Sequence, residues 1–189
     1  MRILALNGSP RKDGNTAKFL KELTKEHKDV DLDYFDLGDL KIKDCISCFY
    51  CKKNEGCAIK DDMTMLYHKI QRAEALVIGS PVYFGAETAP TKAFLDRMYA
   101  MLNFGSGPGI YTSKIKGTKK AIIVFTCGNG KGNELYANLK DRMYSAYGTL
   151  GFTEVHPYII PGVRPTIDIL ELEASQKVLQ ECHVTLGEE

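Results

Sequence analysis

Two stretches of this chain hold residue types and spacings suited to chemistry. Residues 2–16, RILALNGSPRKDGNT, run from a short apolar segment into a loop of Gly, Ser, Asn and Thr, and a helical pattern starts straight after. A strand entering such a loop at a helix N-terminus gathers unpaired backbone N–H groups, and the helix dipole adds partial positive charge. Ser9, Asn15 and Thr16 offer side-chain donors, and Arg11 or Lys12 offers charge. The chemistry expected there is phosphate binding, and an ordinary capped strand-to-helix loop is the alternative. The second stretch is CISCFYCKKNEGC, which puts Cys45, Cys48, Cys51 and Cys57, four of the six cysteines, within 13 residues. In a reducing compartment such crowding argues for metal or redox chemistry rather than disulfides.

The first loop carries neither common nucleotide fingerprint. Gly8 and Gly14 stand six apart, and no Lys-Ser or Lys-Thr pair closes the loop, so G-x-G-x-x-G and G-x-x-x-x-G-K-[ST] are both missing. Hydroxyls and amides with few glycines suit a single terminal phosphomonoester.

These residues need elements to position them. Strands are expected near 2–7, 31–36, 75–80, 119–126 and 154–160, and helices near 16–27, 62–73, 88–102, 132–147 and 168–183. ALVIGS and KKAIIVFT are nearly continuous apolar runs, as strands buried on both faces should be. Phe94, Leu95, Met98, Met101 and Leu102 recur at helical spacing and read as a core face. Five strands alternating with five helices predict an α/β fold of three layers: a doubly wound, five-stranded parallel sheet of order 2-1-3-4-5. The whole chain, 1–189, reads as a single domain with a cysteine-rich insertion at about 44–58. The connections 38–61 and 103–118 are long, and long connections are often functional.

Sites in such a sheet lie at the carboxyl ends of its strands. Besides Asn7 to Thr16, the loops there are Ser80-Pro81-Val82-Tyr83-Phe84-Gly85 and Thr126-Cys127-Gly128-Asn129-Gly130. Tyr83 and Phe84 can lie against a flat ring or simply pack. Cys127 reads as an inert small residue and Cys182 as core.

The formal net charge is +1, so bulk charge suggests neither a nucleic-acid nor a membrane surface. No apolar run reaches the roughly 18 residues of a membrane span, and the opening segment lacks a secretory pattern. A cytoplasmic protein is the default expectation. G-x-S-x-G and H-E-x-x-H are missing, and His27, His68, His156 and His183 stand far apart, as surface or packing residues do.

Taken together, NGSPRKDGNT and SPVYFGAETAPTKAFLDR, with Lys92, Asp96 and Arg97, resemble the flavodoxin-like NAD(P)H-dependent FMN reductases. The resemblance implies an FMN whose phosphate sits on Ser9, Arg11, Asn15, Thr16 and Ala17. It implies an isoalloxazine ring beside Pro81, Val82, Tyr83, Phe84 and Gly85, with Cys127, Gly128 and Asn129 as weaker carry-overs. The cysteine segment is similar to the compact motif of the iron–sulfur flavoproteins, a branch of the same group. Three readings stay open for Cys45, Cys48, Cys51 and Cys57: a 4Fe-4S cluster, a cluster-free loop, and zinc, which fits the spacing less well. Many such proteins have Gly where this chain has Ser47, and Asp61 or Asp62 can simply cap the next helix. The function implied is an oxidoreductase passing electrons from NAD(P)H to a quinone, flavin or other small acceptor. The alternative is a non-enzymatic flavoprotein or iron–sulfur flavoprotein that carries electrons with a ferredoxin-like partner. The cofactor does the hard chemistry in either case, so no proton-transfer residue is expected. The resemblance also implies a homodimer or homotetramer, with Tyr99, Met101 and Phe104 contributing to its surface.

Overall fold

Strand β1 (Arg2–Asn7) shows how the sheet is built. Every residue from Ile3 to Asn7 is buried, and the two-residue period of a strand sends Ile3 and Ala5 to one layer and Leu4 and Leu6 to the other. The structure is a computed structural model that describes residues 1–25, 30–107 and 110–187. After β1 come α1 (Asn15–Lys25), β2 (Asp31–Asp36), the short α2 (Tyr50–Lys53), α3 (Met63–Arg72), β3 (Ala75–Pro81) and α4 (Ala89–Arg97). A hairpin of β4 (Leu102–Phe104) and β5 (Tyr111–Ser113) follows, then β6 (Lys120–Thr126), α5 (Gly132–Leu135), α6 (Ala137–Thr149), β7 (Glu154–Ile160) and α7 (Glu173–Leu186).

The main sheet is parallel throughout, in the order β2-β1-β3-β6-β7. This is the predicted doubly wound sheet, its five strands within a residue of their expected limits. The inner strands are apolar on both faces because both are covered. Phe19, Leu20 and Leu23 of α1 and Cys182 of α7 pack on Ile3, Val77, Ile122 and Val124. Phe94, Met143 and Tyr147, with Leu66 of α3, cover Leu4, Leu76, Ile78 and Phe125. At about 25 cal/mol per Å2 of apolar surface, each fully buried Leu, Ile or Phe contributes roughly 1.5–3 kcal/mol. Pro157 lies in β7, an edge strand, where a missing N–H is tolerated.

The helices depart from expectation in three places. The expected 88–102 helix ends at Arg97 and tightens into a 3-10 turn, Met98–Met101. There Arg97 O accepts from the Tyr67 hydroxyl at 2.8 Å, and the Lys52 ammonium takes Tyr99 O and Leu102 O at 2.5 and 2.6 Å. With those carbonyls claimed, the chain turns into the β4–β5 hairpin, which the apolar stripe had hidden. Met101 is 5% exposed, so it serves the core and not a docking surface, contrary to the expectation for it; Phe104 is exposed. The expected 132–147 helix breaks at Tyr136, which leaves helical backbone and turns its ring onto the core. The last helix starts at Glu173 because Asp168 caps a separate 3-10 turn through Leu170 N–H. His27 lies outside the described residues.

The long connection after β2 is held by one buried ion pair. Arg97 and Asp61 side chains are 1% and 5% exposed and meet at 2.7 and 3.1 Å. The same guanidinium donates to Lys43 O at 2.8 Å and Ile59 O at 3.3 Å, so it fastens both ends of the cysteine segment. Asp61 also accepts from Lys43 N–H and from Met63 N–H, the start of α3. Asp62 turns back to Lys41 N–H. Of the two acidic candidates for a helix cap, Asp61 is the one that caps.

Removing one partner of a buried pair strands the other charge, a cost of about 3–5 kcal/mol. Arg97→Met is expected to destabilise the chain by that amount in urea unfolding, and a loss under about 1 kcal/mol would contradict the clamp. Burial alone would raise the Asp61 pKa, but hydrogen bonds from Arg97 and two backbone N–H groups outweigh it and hold it below 3.8. A depressed carboxylate contributes its stability fully above 3.8 and loses it as pH falls through the lower folded value. An acid titration of the unfolding free energy should lose this component in Asp61→Asn.

Candidate functional site

Three loops meet at the carboxyl rim of the sheet, and short backbone contacts fix their positions. In the first, Gly8 N–H donates to Gly79 O at 2.7 Å, and Gly8 O accepts from the Thr88 hydroxyl at 2.6 Å. A Cβ on Gly8 would lie 1.9 Å from Thr91 Oγ1 and 3.1 Å from Gly79 O, so only glycine fits. Beyond it the loop coils on itself. Asn7 donates to Asp36 at 2.7 Å and accepts Ser9 N–H at 3.0 Å; Ser9 Oγ accepts Arg11 N–H at 3.2 Å. Asn and Ser make such side-chain turns readily.

The loop ends on the first turn of α1. The N–H groups of Asn15, Thr16 and Ala17 find no acceptor among the described residues, as the first turn of any helix requires of its donors. Here the turn is covered: Thr16 is 4% and Ala17 0% exposed. Donors left inside protein without acceptors cost free energy unless something supplies one. A phosphate group fits that need.

The side chains do less of this than the sequence suggested. Both amide hydrogens of Asn15 are spent on Arg164 O and Ile167 O, each at 2.9 Å. The Thr16 hydroxyl lies 2.8 Å from that of Thr126, both buried. For Asn15 the reason is a fourth loop, residues 161–168, which folds against α1 and closes a cavity of about 240 Å3 with Arg11, Asp13 and Lys18. Contacts between Asn15 and residues some 150 positions later leave no trace in local sequence. Asn15 and Thr16 thus offer backbone N–H groups, whereas Ser9 Oγ stays beside the coil. Arg11 is exposed and has no ion-pair partner among the described residues, while Lys12 is paired with Asp39 at 2.6 Å.

The second loop carries a tight two-residue turn. Tyr83 and Ala86 exchange both backbone hydrogen bonds, at 2.9 and 3.1 Å. Phe84 and Gly85, at φ 50° and 78°, form its tip, the geometry of a type I′ turn. Tyr83 is 48% exposed and Phe84 fully exposed, so neither is core packing. Behind the turn, Glu87 is buried and takes a two-pronged bond from Arg142, one prong at 3.1 Å. Burial pushes the Glu87 pKa up, and the Arg142 guanidinium outweighs it, so the carboxyl stays ionised. Val82 N–H donates to Thr126 O at 2.8 Å and joins this loop to the third.

In the third loop, Cys127 is 6% exposed and its Sγ lies 3.6 Å from Asn129 O. Burial raises its pKa, which keeps the thiol protonated and unreactive. Gly128, Asn129 and Gly130 are exposed. The residues expected at the site therefore lie on three mutually bonded loops of one rim. The fourth loop and the Glu87–Arg142 brace are additions that motif spacing could not reveal.

The four clustered cysteines sit elsewhere. Cys45 and Cys48 are exposed, Cys51 is buried and Cys57 is half-buried. All four line one small apolar pocket of about 20 Å3 together with Arg97. Among the described residues, no group of three or more His, Cys, Asp or Glu side chains is arranged to hold a metal ion. The donor chemistry suits a cluster, but the pocket is closed down. Ser47 has φ 52°, in the left-handed region, which explains why glycine suits this position.

The comparisons with known proteins bear on this geometry. Residues 1–160 match the family of NADPH-dependent FMN reductases. An iron-sulfur flavoprotein of Archaeoglobus fulgidus is 33% identical over 150 residues, covering 78% of this chain and 64% of that protein. The chain spans about half to two thirds of the length of the curated relatives it matches. Among solved structures, an NAD(P)H:quinone oxidoreductase from Methanothermobacter marburgensis superposes with a TM-score of 0.74 at 17% identity, covering 100% of this chain and 97% of that one. An FMN-dependent NADH-azoreductase from Bacillus anthracis, solved with FMN, gives 0.73 at 14% identity over 99% of both chains. At these identities the two structures establish the shared fold.

The tight seat of Gly8 yields a direct test. Gly8→Ala is expected to cost about 1–3 kcal/mol through overpacking. Thr91→Ala removes the atom in the way, so the double variant should be more stable than the two single losses add up to, with a coupling of about 1 kcal/mol or more. Strict additivity in chemical denaturation would show that the close contact is not what excludes a side chain.

Proposed function

The chain belongs to the NADPH-dependent FMN reductase family, and on that premise we propose that it is an FMN-dependent oxidoreductase, taking electrons from NADH or NADPH and passing them to a quinone, flavin or other small acceptor. The observation that carries this reading is the first turn of α1 at Asn15, Thr16 and Ala17, where Thr16 and Ala17 are buried and the three N–H groups lack acceptors among the described residues. A dianionic phosphate there satisfies three donors at once and gains from the helix dipole. Ser9 and Arg11 stand beside the same turn. Pro81, Val82, Tyr83, Phe84 and Gly85, with Cys127, Gly128 and Asn129, are the residues that would flank the ring.

Bound FMN supplies the redox chemistry. The chain's own part is placement. Backbone N–H groups hold the phosphate, the brace between Glu87 and Arg142 fixes the second loop, and the exposed Tyr83–Phe84 turn offers aromatic faces. Cys127, kept as a buried thiol, takes no part in proton transfer. The names of the two structural neighbours, a quinone oxidoreductase and an azoreductase, agree with a small-molecule acceptor.

A finer reading concerns Cys45, Cys48, Cys51 and Cys57, which would hold a 4Fe-4S cluster. Their shared pocket and the name of the Archaeoglobus relative support it. With a cluster in place, the chain could also act as an electron carrier beside a ferredoxin-like partner. The near-neutral charge of +1 favours the enzyme, since carriers tend to show a strongly acidic docking face. Phe49, Phe104 and Tyr111 are exposed, in keeping with a homo-oligomer.

Asn15→Pro deletes one of the three donors at the first position of α1, where proline is tolerated, and is compared with Asn15→Ala, which loses the amide side chain alone. Losing one hydrogen bond to a charged group costs about 1.5–3 kcal/mol, so FMN affinity in a fluorescence titration should fall roughly 10- to 100-fold with the circular dichroism preserved. Unchanged affinity would refute the phosphate seat. The flavin-loaded chain should oxidise NADH or NADPH in the presence of a quinone, and an inert flavoprotein would favour the carrier. Anaerobic purification should yield iron and acid-labile sulfide in equal amounts. A chain that stays iron-free after reconstitution would remove the cluster and leave the flavin reading intact.

A further inference from the structure

The cysteine segment has a second side. Opposite the small apolar pocket, Cys51 and Cys57 also border a cavity of about 740 Å3 between α2, α3 and the residues around Met101. It shares no residue with the three loops of the sheet rim. Its volume lies within the roughly 300–1,000 Å3 of small-molecule sites. Its charge is strongly one-sided. Lys52, Lys53, Lys60 and Lys114 line it against a single carboxylate, Glu55, a net charge of +3 in a chain whose whole formal charge is +1. Among the described residues, no carboxylate forms an ion pair with any of these four. Lys52 donates to Tyr99 O and Leu102 O, and Lys114 donates to Cys51 O at 2.7 Å, which are uncharged partners. Lys53 and Lys60 are exposed and make no side-chain hydrogen bond or ion pair among the described residues. The inner wall is apolar, made by Tyr67 and Met101.

We propose that this cavity is a second ligand site, for a small anionic molecule with an aromatic body, held by Lys53 and Lys60 over the apolar wall and against Cys51 and Cys57. Like charges gathered at a concave surface with a low-dielectric wall focus potential and raise the local concentration of a counter-ion. Lys52 and Lys114 have already lost part of their hydration to carbonyls, so an anion arriving there meets cations that are fixed in place. An aromatic body then gains from covering Tyr67 and Met101. The assignment stands apart from the flavin reading and from the cluster, because it rests on the cavity and its charge alone.

The probe is anthraquinone-2,6-disulfonate, titrated calorimetrically into the FMN-loaded chain. Saturable binding is expected, weakening as salt is added. Lys53→Glu with Lys60→Glu should lower the affinity at least tenfold. Neither lysine has a partner to lose, so the thermal midpoint should hold. In FMN-loaded chain prepared without a cluster, saturating probe should slow alkylation of Cys57 by iodoacetamide at least fivefold. Phe84→Ala, on the flavin rim, should leave probe affinity unchanged. Absence of binding, full affinity in the lysine variant, or loss of binding in Phe84→Ala instead would overturn the proposal. So would binding of an acidic peptide alone with no response to the quinone.

Discussion

The whole carboxyl rim depends on the contact of one glycine with two elements at once. Gly8 donates to β3 through Gly79 O and accepts from α4 through Thr88. Its missing side chain lets β1 end within contact of Thr91. Everything that follows is set by this seat: the coil through Asn7 and Ser9, the direction of α1, and the place where its first turn opens. The other loops are referred to the same point, the second through Ser80 and Thr88 and the third through Thr126. A longer loop would tolerate rotation here. A close backbone approach does not, because interiors are packed at crystal-like density.

The two candidate regions solve the problem of holding an anion in opposite ways. The rim uses backbone donors with no fixed cation: Arg11 is exposed, Lys12 is paired, and the uncommitted groups are N–H. Backbone donors are rigid and neutral, so they select for geometry, and an anion that seats on them relieves the cost of leaving them without acceptors. The cysteine region uses whole charges. Arg97, its charge paired with Asp61, is buried beside Cys57 with an Nε–H that has no partner among the described residues, while Lys52 and Lys114 anchor the short α2 to the β4–β5 side. Cations around sulfur lower the cost of thiolate or sulfide. The stretch between β2 and α3 is held mostly by polar tethers, since Phe49 and Tyr50 are exposed and only Leu37 and Cys51 of its residues are buried.

Much of the fold was legible because the sheet is parallel and covered. Such strands must be apolar on both faces, and ALVIGS and KKAIIVFT could be little else. Helix ends were less legible, because they are decided by side chains from far away: Tyr67 and Lys52 claim the carbonyls that would have continued α4. The loops at the carboxyl rim could be placed, but the contacts of their side chains could not. Asn15 and Thr16 are donors by type, yet one is committed to residues 164–167 and the other to Thr126. The Glu87–Arg142 brace and the +3 cavity are likewise made of residues far apart in the chain, and composition averages their charges away.

Backbone strain offers a reading of the sites that owes nothing to motifs. Among the described residues, three that are not glycine adopt positive φ: Ser47, Phe49 and Phe84. Each such residue costs about 1–3 kcal/mol and persists only where its surroundings overdetermine it. Phe49 is particularly costly because it is bulky, and it is kept in place by Tyr99 and Phe104, whose rings lie 6.4 and 5.9 Å away. Phe84 has no such packing; the two hydrogen bonds between Tyr83 and Ala86 hold it, and they leave the ring in solvent. A turn that needs only a glycine to relax, yet spends an exposed aromatic at that point, is stabilising something other than itself. The strained positions fall on the rim proposed to hold flavin and on the cysteine segment proposed to hold a cluster, and on no other part of the described chain.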